Sequence, residues 1–147
     1  IELVRFFLWG QGFAVLGSLV FGRVVGRLGA KRTLALIWSG WMGSLVLVSV
    51  SRDPVWLWAI GPLIGFCLGS TWATSRVLLV ELAPKDRLAE FLGLGGLLSR
   101  ASSILGPLLW GAIVWDPSRY QQAIWVLIGL LAIGLWIFRR VPNPATQ

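Results

Sequence analysis

The sequence predicts an all-α membrane protein with about five transmembrane helices. Hydrophobic residues make up 56% of the 147 residues, only 13% are charged, and the mean hydropathy is +0.79. A soluble domain carries roughly a quarter charged residues, and its interior is too small to bury this much apolar surface. Ten Trp and eighteen Gly fit the same class, because Trp collects at membrane interfaces and Gly is common in membrane helices.

Five stretches of the chain are apolar and long enough to cross a bilayer, which takes roughly 17 to 25 residues in a helix. Their predicted bounds are 6–25, 33–51, 54–75, 91–115 and 120–138. Residues 1–147 therefore form one transmembrane domain, with a polar tail, 141–147, that we expect to be disordered in the cytoplasm. Because the chain begins at Ile1 inside an apolar run, we expect further helices upstream.

Basic residues alternate between rich and poor loops. The second loop holds only Arg52 beside Asp53, and the fourth holds only Arg119 beside Asp116. The rich positions follow the first, third and fifth spans: Arg23, Arg27, Lys31, Arg32, Arg76, Lys85, Arg87, Arg139 and Arg140. Since cytoplasmic loops carry the excess of Lys and Arg, the C-terminus is predicted to be cytoplasmic, in a bacterial inner membrane.

Charge and cysteine content disfavour several other classes. The net charge is +7, but the basic residues lie between apolar segments and not on one exposed face, so nucleic acid is not the expected partner. The chain has no His and a single Cys, Cys67, so neither a metal site nor an internal disulfide is predicted. No cofactor is expected.

The third and fourth spans are richer than plain lipid anchors. Small residues recur every fourth position in the third span, at Gly61, Gly65, Gly69 and Ala73, which lets another helix approach closely. One face of the fourth span carries Gly93, Gly96, Arg100, Ser103 and Pro107. Both Pro62 and Pro107 are potential kinks. The pattern fits a bundle that rocks or opens, and it also fits a tightly packed bundle with no particular motion.

Arg100 is the most informative single residue. It lies roughly 13 Å of helix from either end of the fourth span, and a central Arg costs at least about 2.5–3.5 kcal/mol on insertion scales. We expect it to lie in the bundle interior or a water-filled cavity, where its partner is another segment, water, backbone carbonyls or an anionic ligand. A role in substrate binding and a structural ion pair remain equally open.

Three polar residues within spans are further candidates for substrate contact. Gln11, between Gly10 and Gly12, either binds a solute or bridges two helices. The hydroxyls of Ser70 and Thr71 either line a pathway or bond back to carbonyls of their own helix.

Two loops are candidates for cytoplasmic gating. The first supplies Gly22, Arg27, Gly29, Lys31 and Arg32, and its glycines permit a tight turn. The second supplies Arg76, Glu81, Pro84, Arg87 and Glu90. Its three basic and three acidic residues are balanced, so ion pairs there could hold one conformation closed. The alternative is a solvated loop whose surface pairs contribute little.

The first loop resembles the signature of the major facilitator superfamily, with Gly26 in place of the usual acidic residue. The second resembles the Arg…Glu…Pro…Arg pattern that follows the fourth or tenth helix of that superfamily. Four segments are similar to its vacuole-effluxer-like branch: Ser75-Arg76, Leu82-Ala83-Pro84-Lys85, Ala89-Glu90-Phe91 and Ile104-Leu105-Gly106-Pro107-Leu108-Leu109.

The resemblance covers the chain as helices eight to twelve, part of the C-terminal half of a twelve-helix fold. It implies a permease with substrate bound between two halves near the midplane and alternating access, and not an enzyme. An amino acid or other small organic anion is the implied substrate, moved by efflux, with Arg100 as the carboxylate contact. The implied partners are the bilayer and the upstream helices. The alternatives are a membrane scaffold or receptor, or a membrane-bound enzyme.

Overall fold

The computed structural model describes residues 2–51, 54–115 and 120–141. These ranges hold five helices and no strand: α1 (Glu2–Leu28), α2 (Ala30–Val50), α3 (Pro54–Leu82), α4 (Leu88–Ile113) and α5 (Tyr120–Arg139). A 3-10 turn, Lys85–Arg87, precedes α4. All five helices are long and apolar enough to span a membrane, which confirms the predicted class. Residues 142–147 of the predicted tail, the pair Arg52–Asp53 and the segment 116–119 lie outside the described residues.

The helices extend beyond the uncharged stretches of the sequence. α1 continues through Arg23 and Arg27, so that only Gly29 separates it from α2. α3 likewise continues past Arg76 and Glu81. Much of both predicted loops is therefore helical, and the prediction of loops there was wrong. Charged residues mark where a helix leaves hydrocarbon, but Arg and Glu are good helix formers and do not end it.

Gly29 makes the turn between α1 and α2. Its φ of +79° lies in the region that side chains disfavour. Its amide donates to the Val25 carbonyl at 2.9 Å, and its own carbonyl accepts from the Thr33 hydroxyl at 2.8 Å. The other two glycines of this segment, Gly22 and Gly26, lie within α1 and have no positive φ. The tight turn thus depends on Gly29 alone.

α1 and α3 run parallel and pack through their backbones. A Cβ added at Gly65 would collide with the Gly10 carbonyl, and one added at Gly69 would collide with the Ala14 carbonyl. Both helices advance by four residues between these contacts, so the small residues of α3 follow the backbone of α1. Close backbone approach of this kind replaces hydrophobic burial as a source of association in lipid.

α2 runs antiparallel to α3 and α5 and lies against both. Buried residues of these three helices form one cluster: Ala30, Leu34, Ile37, Cys67, Leu78 and Phe138. Val25, Leu82 and Val141 pack against it. The ends of α1, α3 and α5 therefore meet the start of α2. We call this the basic end; its basic residues are Arg23, Arg27, Lys31, Arg32, Lys85, Arg87, Arg139 and Arg140.

α4 is packed far more loosely than the other helices. None of its residues is buried. It meets α3 at the Leu79 side chain, which a Cβ added at Gly95 would touch, and it meets α5 through the edge-to-face rings of Trp110 and Tyr120, whose centroids lie 5.5 Å apart. The face that carries Arg100 has no helix against it within the described chain.

Candidate functional site

An open cleft lies between α1 and α3, from the middle of the pair toward the basic end. Its volume is about 380 Å³. The lining residues are Ala14, Val15, Ser18, Gly69, Trp72, Ala73 and Arg76. The small residues Ala14 and Gly69 form the floor where the two backbones meet, so the same packing that joins the helices also shapes the cleft.

Arg76 supplies the positive charge of this cleft. Its guanidinium carbon lies 5.8 Å from the ring centre of Trp72, one turn earlier on α3. Stacking on an aromatic ring orients a guanidinium without neutralising it. Arg76 is exposed and pairs with no carboxylate in the part of the chain that the structure describes. An anion reaching the cleft would therefore meet an oriented, uncompensated cation.

The hydroxyls of Ser70 and Thr71 are held at helix contacts. Ser70 is fully buried and donates to the Phe66 carbonyl at 2.6 Å. Thr71 donates to the Cys67 carbonyl at 2.7 Å and accepts from the indole N–H of Trp41 on α2 at 3.0 Å. Their bonds match the alternative in which hydroxyls satisfy their own helix; Ser70 is buried, Thr71 is half-buried, and a role of either in substrate contact stays a prediction.

Gln11 lies on the exposed side of α1. Its neighbour Gly10 faces α3, but the Gln11 amide bonds to none of the described residues. It bridges no pair of helices among the described residues, and its role in substrate contact stays a prediction.

Arg100 lies halfway along α4 and is exposed. Its guanidinium forms no ion pair or hydrogen bond with a described residue. The Ser103 hydroxyl donates to the backbone carbonyl of Arg100 at 2.7 Å. Gly96 on the same helix has open space where a Cβ would stand. Arg100 does not line the α1–α3 cleft that Arg76 lines, and the packing role predicted for Gly96 and Pro107 stays a prediction.

The charged residues of the two predicted gating loops do not join one another. Within the described ranges one ion pair forms, between Asp86 and Arg87 at 3.9 Å, and both side chains are largely exposed. Glu81 and Glu90 are exposed on α3 and α4. A pair of this kind contributes little, so the described residues contain no charge lock among themselves.

Lys31 has a contact that the sequence did not suggest. Its ammonium donates to the carbonyls of Arg139, at 3.4 Å, and Val141. These are unpaired carbonyls at the end of α5, where a cation is favoured by the helix dipole. At the opposite end of the same pair, Gln121 donates to the Ser49 carbonyl at 3.2 Å. Lys31 thus joins α2 to α5.

Trp72 was also absent from the predicted site, although its spacing of four residues before Arg76 is the pattern that brings two side chains together on a helix.

Among the described residues, no group of three or more His, Cys, Asp or Glu side chains could hold a metal ion.

Comparison with known proteins identifies the superfamily. The family model of the Major Facilitator Superfamily matches residues 3–147. The chain is 27% identical over 126 residues to the "Uncharacterized MFS-type transporter YxiO" of Bacillus subtilis, covering 86% of the chain and 29% of that protein. It is 27% identical over 136 residues to "Autophagy-related protein 22" of Pichia angusta, covering 85% and 24%.

A third relative has a named substrate. The chain is 33% identical over 99 residues to the "Shikimate transporter" of Escherichia coli, covering 60% of the chain and 23% of that protein. The chain thus spans about a quarter of the length of these curated relatives. No solved structure matches it.

Proposed function

Because the chain belongs to the Major Facilitator Superfamily, we propose that the full-length protein carries a small organic anion across a membrane by alternating access. Members of this superfamily transport small solutes across membranes and are not enzymes. Alternating access needs a binding site between two moving halves. The helices of this chain would form one side of that site, and helices elsewhere in the full-length protein would form the other.

The proposal rests on the unpaired charge of Arg100 in the middle of α4. A permanent charge in the middle of an apolar helix costs at least about 2.5–3.5 kcal/mol to insert. Nothing in the described chain offsets that cost, since Arg100 has no carboxylate partner there. The unpartnered face of α4 is where the rest of the transporter would close against this chain. A guanidinium in a cavity there would bind a substrate carboxylate in a charge-assisted, two-point contact.

The proposed substrate class is a small carboxylate, either an amino acid or another organic anion. The E. coli relative is named a shikimate transporter, and shikimate is a carboxylic acid. Arg76, stacked on Trp72 in the α1–α3 cleft, provides a second cation on the way to the basic end. Two separated cations would let an anion pass from a central site toward one membrane face.

The basic end is proposed to be cytoplasmic, in a bacterial inner membrane. The structure places basic residues of four helix ends together, and such residues are retained on the cytoplasmic side. Glu81 and Glu90 lie at this end without a pairing residue in the described chain. A gate formed by Arg27, Glu81 and Glu90 would therefore pair with basic or acidic residues of the other half.

The test is uptake into proteoliposomes by the full-length protein. Labelled shikimate and labelled amino acids are compared, with and without a pH gradient. Arg100→Ala is expected to lower uptake at least roughly tenfold, because a hydrogen bond to a charged group is worth about 1.5–3 kcal/mol. Arg5→Ala removes an equally exposed arginine at the far end of α1 and should leave uptake near the wild-type rate.

Two results would count against the proposal. Uptake by Arg100→Ala at the wild-type rate would remove Arg100 from the mechanism. Failure of folded wild-type protein to move any carboxylate, while it moves a neutral or cationic solute, would overturn the substrate class. Monodisperse elution of each variant separates loss of transport from loss of folding.

A further inference from the structure

A second groove lies between α2 and α5, away from the α1–α3 cleft. Its volume is about 400 Å³, and its walls are Trp38, Trp41, Leu131 and Gly134. The indole N–H of Trp41 already donates to Thr71, so the indole N–H of Trp38 is the one side-chain polar group of this lining that has no partner among the described residues. The rest of the lining is apolar, and we expect an occupant of this groove to be largely apolar.

Gly134 keeps the groove open. A Cβ added there would meet nothing within 4 Å. On the side toward the basic end, the ring of Trp38 packs on that of Phe138, with centroids 4.9 Å apart. Contacts at both ends of the pair, from Lys31 to Arg139 and from Gln121 to Ser49, hold the two helices in place. The groove is thus a fixed feature of the α2–α5 pair.

Four basic residues stand past the groove on the side of the basic end. Lys31 and Arg32 lie in the first turn of α2, Arg139 is the last residue of α5, and Arg140 follows it. Trp38 follows Lys31 by seven residues, about 10 Å along the helix, and Gly134 precedes Arg139 by five, about 7.5 Å. These distances match the distance between the phosphate group of a phospholipid and the upper part of its acyl chain.

The positive charge at this point is uncompensated. None of the four residues pairs with a carboxylate whose side chain the structure describes. Lys31 is engaged with the end of α5, and Arg140 stacks over Trp136 at 4.2 Å. The guanidinium groups of Arg32 and Arg139 are exposed. The site therefore combines an apolar slot with a cluster of cations at one end.

We propose that the α2–α5 groove binds an anionic phospholipid, with its phosphate at Arg32, Arg139 and Arg140 and an acyl chain between Trp38, Trp41, Leu131 and Gly134. Basic pockets between transmembrane helices are suited to anionic headgroups, and the slot explains why a diacyl lipid would be preferred to a free anion. The proposal depends on the membrane location of the chain and not on transport, so a failed transport assay leaves it standing.

The test is native mass spectrometry of the full-length protein, titrated with phosphatidylglycerol or with phosphatidylcholine of the same chains. Wild-type protein should retain phosphatidylglycerol more strongly. The double variant Arg32→Gln, Arg139→Gln should weaken that binding roughly fivefold for each charge and leave phosphatidylcholine unchanged. Arg23→Gln removes one charge of the basic end on α1, away from the groove, and should have little effect.

Gly134→Leu tests the slot itself, because a Cβ there has open space and the longer side chain would extend into the groove. Gly129→Leu is the matched control, since it also points into open space on α5 but does not line the groove. Binding of both lipids should fall at least fivefold in Gly134→Leu only. Should Gly134→Leu fold poorly, the headgroup comparison and the arginine variant still decide the question.

Equal retention of the two lipids by wild-type protein would overturn the proposal, as would equal effects of the two leucine variants. Detection of a dimer that Gly134→Leu dissociates, with no lipid dependence, would assign the groove to a second copy of the chain instead.

Discussion

α3 and α4 carry similar patterns of small residues but have different surroundings. In α3, Gly65 and Gly69 lie against the backbone of α1, so closely that neither position has room for a Cβ. In α4, a Cβ added at Gly93 or Gly96 would enter open space, and no residue of the helix is buried. The stripe of α3 packs against a helix of this chain, whereas Gly93 and Gly96 of α4 pack against none of the described helices.

The difference shows that a stripe of small residues specifies a close approach but not the partner. α3 finds its partner in α1. α4 presents Gly96, Arg100 and Pro107 on a face without a neighbour in the described chain. Since the chain spans about a quarter of its relatives' length, we expect the face of α4 to meet helices or substrate in the rest of the protein.

The largest expected effect tests the α1–α3 contact. Gly65→Leu forces a side chain into the Gly10 carbonyl, and overpacking of this kind costs about 1–3 kcal/mol or more. The folded yield and the thermal midpoint of the full-length protein in detergent should both fall. Gly129→Leu, which enters open space, should leave both unchanged.

The same measurement on Gly96→Leu sharpens the comparison. A loss as large as that of Gly65→Leu would mean that a helix outside this chain packs against α4. No loss would mean that this face lines a cavity. A harmless Gly65→Leu would contradict the backbone packing of α1 and α3.

A smaller effect is expected at the turn between α1 and α2. Gly29→Ala places a Cβ at a φ of +79° and a ψ of 155°, a backbone conformation that costs a non-Gly residue about 1–3 kcal/mol. Gly26→Ala, three residues earlier within α1, should be neutral or should stabilise by up to about 1 kcal/mol, because Ala is the better helix former. Opposite signs in thermal unfolding are the expected result; equal signs would show that the turn does not depend on Gly29.

The smallest expected effect on stability comes from removing hydroxyl groups of α3 and α4. Thr71→Val removes the bond that joins α3 to Trp41 and should destabilise by about 0.6 kcal/mol, up to about 1.7. Ser102→Ala on α4 removes only a bond to its own helix, to the Leu98 carbonyl, and should change stability less. Transport by Thr71→Val should persist. Loss of uptake with unchanged stability would instead make Thr71 a substrate contact.

Much of the fold followed from local features of the sequence. The length of each apolar stretch predicts a membrane helix because hydrocarbon thickness sets the residues required. The loop patterns around Arg27 and Arg76 identified the superfamily that the family model matches. Both features are readable within a few residues of chain, and no knowledge of neighbouring helices is needed.

The helix ends and the candidate site could be predicted less well from the sequence. Charges mark the edge of hydrocarbon and not the end of a helix, so the loops were predicted too long. Ser70 and Thr71 were candidates for substrate contact because they are polar within a span. Only the packed structure shows that Ser70 is buried and that Thr71 accepts a hydrogen bond from Trp41 of α2. Burial of a hydroxyl depends on which helix lies opposite, and the sequence of one helix does not contain that information.

By itself the sequence determined the membrane environment, the five helices, the stripe of small residues in α3 and the charge in the middle of the fourth span. Tertiary structure decided which stripe is occupied, and it brought together residues far apart in the chain. Lys31 reaches the carbonyl of Arg139, 108 residues away, and Trp38 and Gly134 form one groove. Periodicity arises from the geometry of one helix, whereas these contacts exist only because α2 and α5 pack side by side.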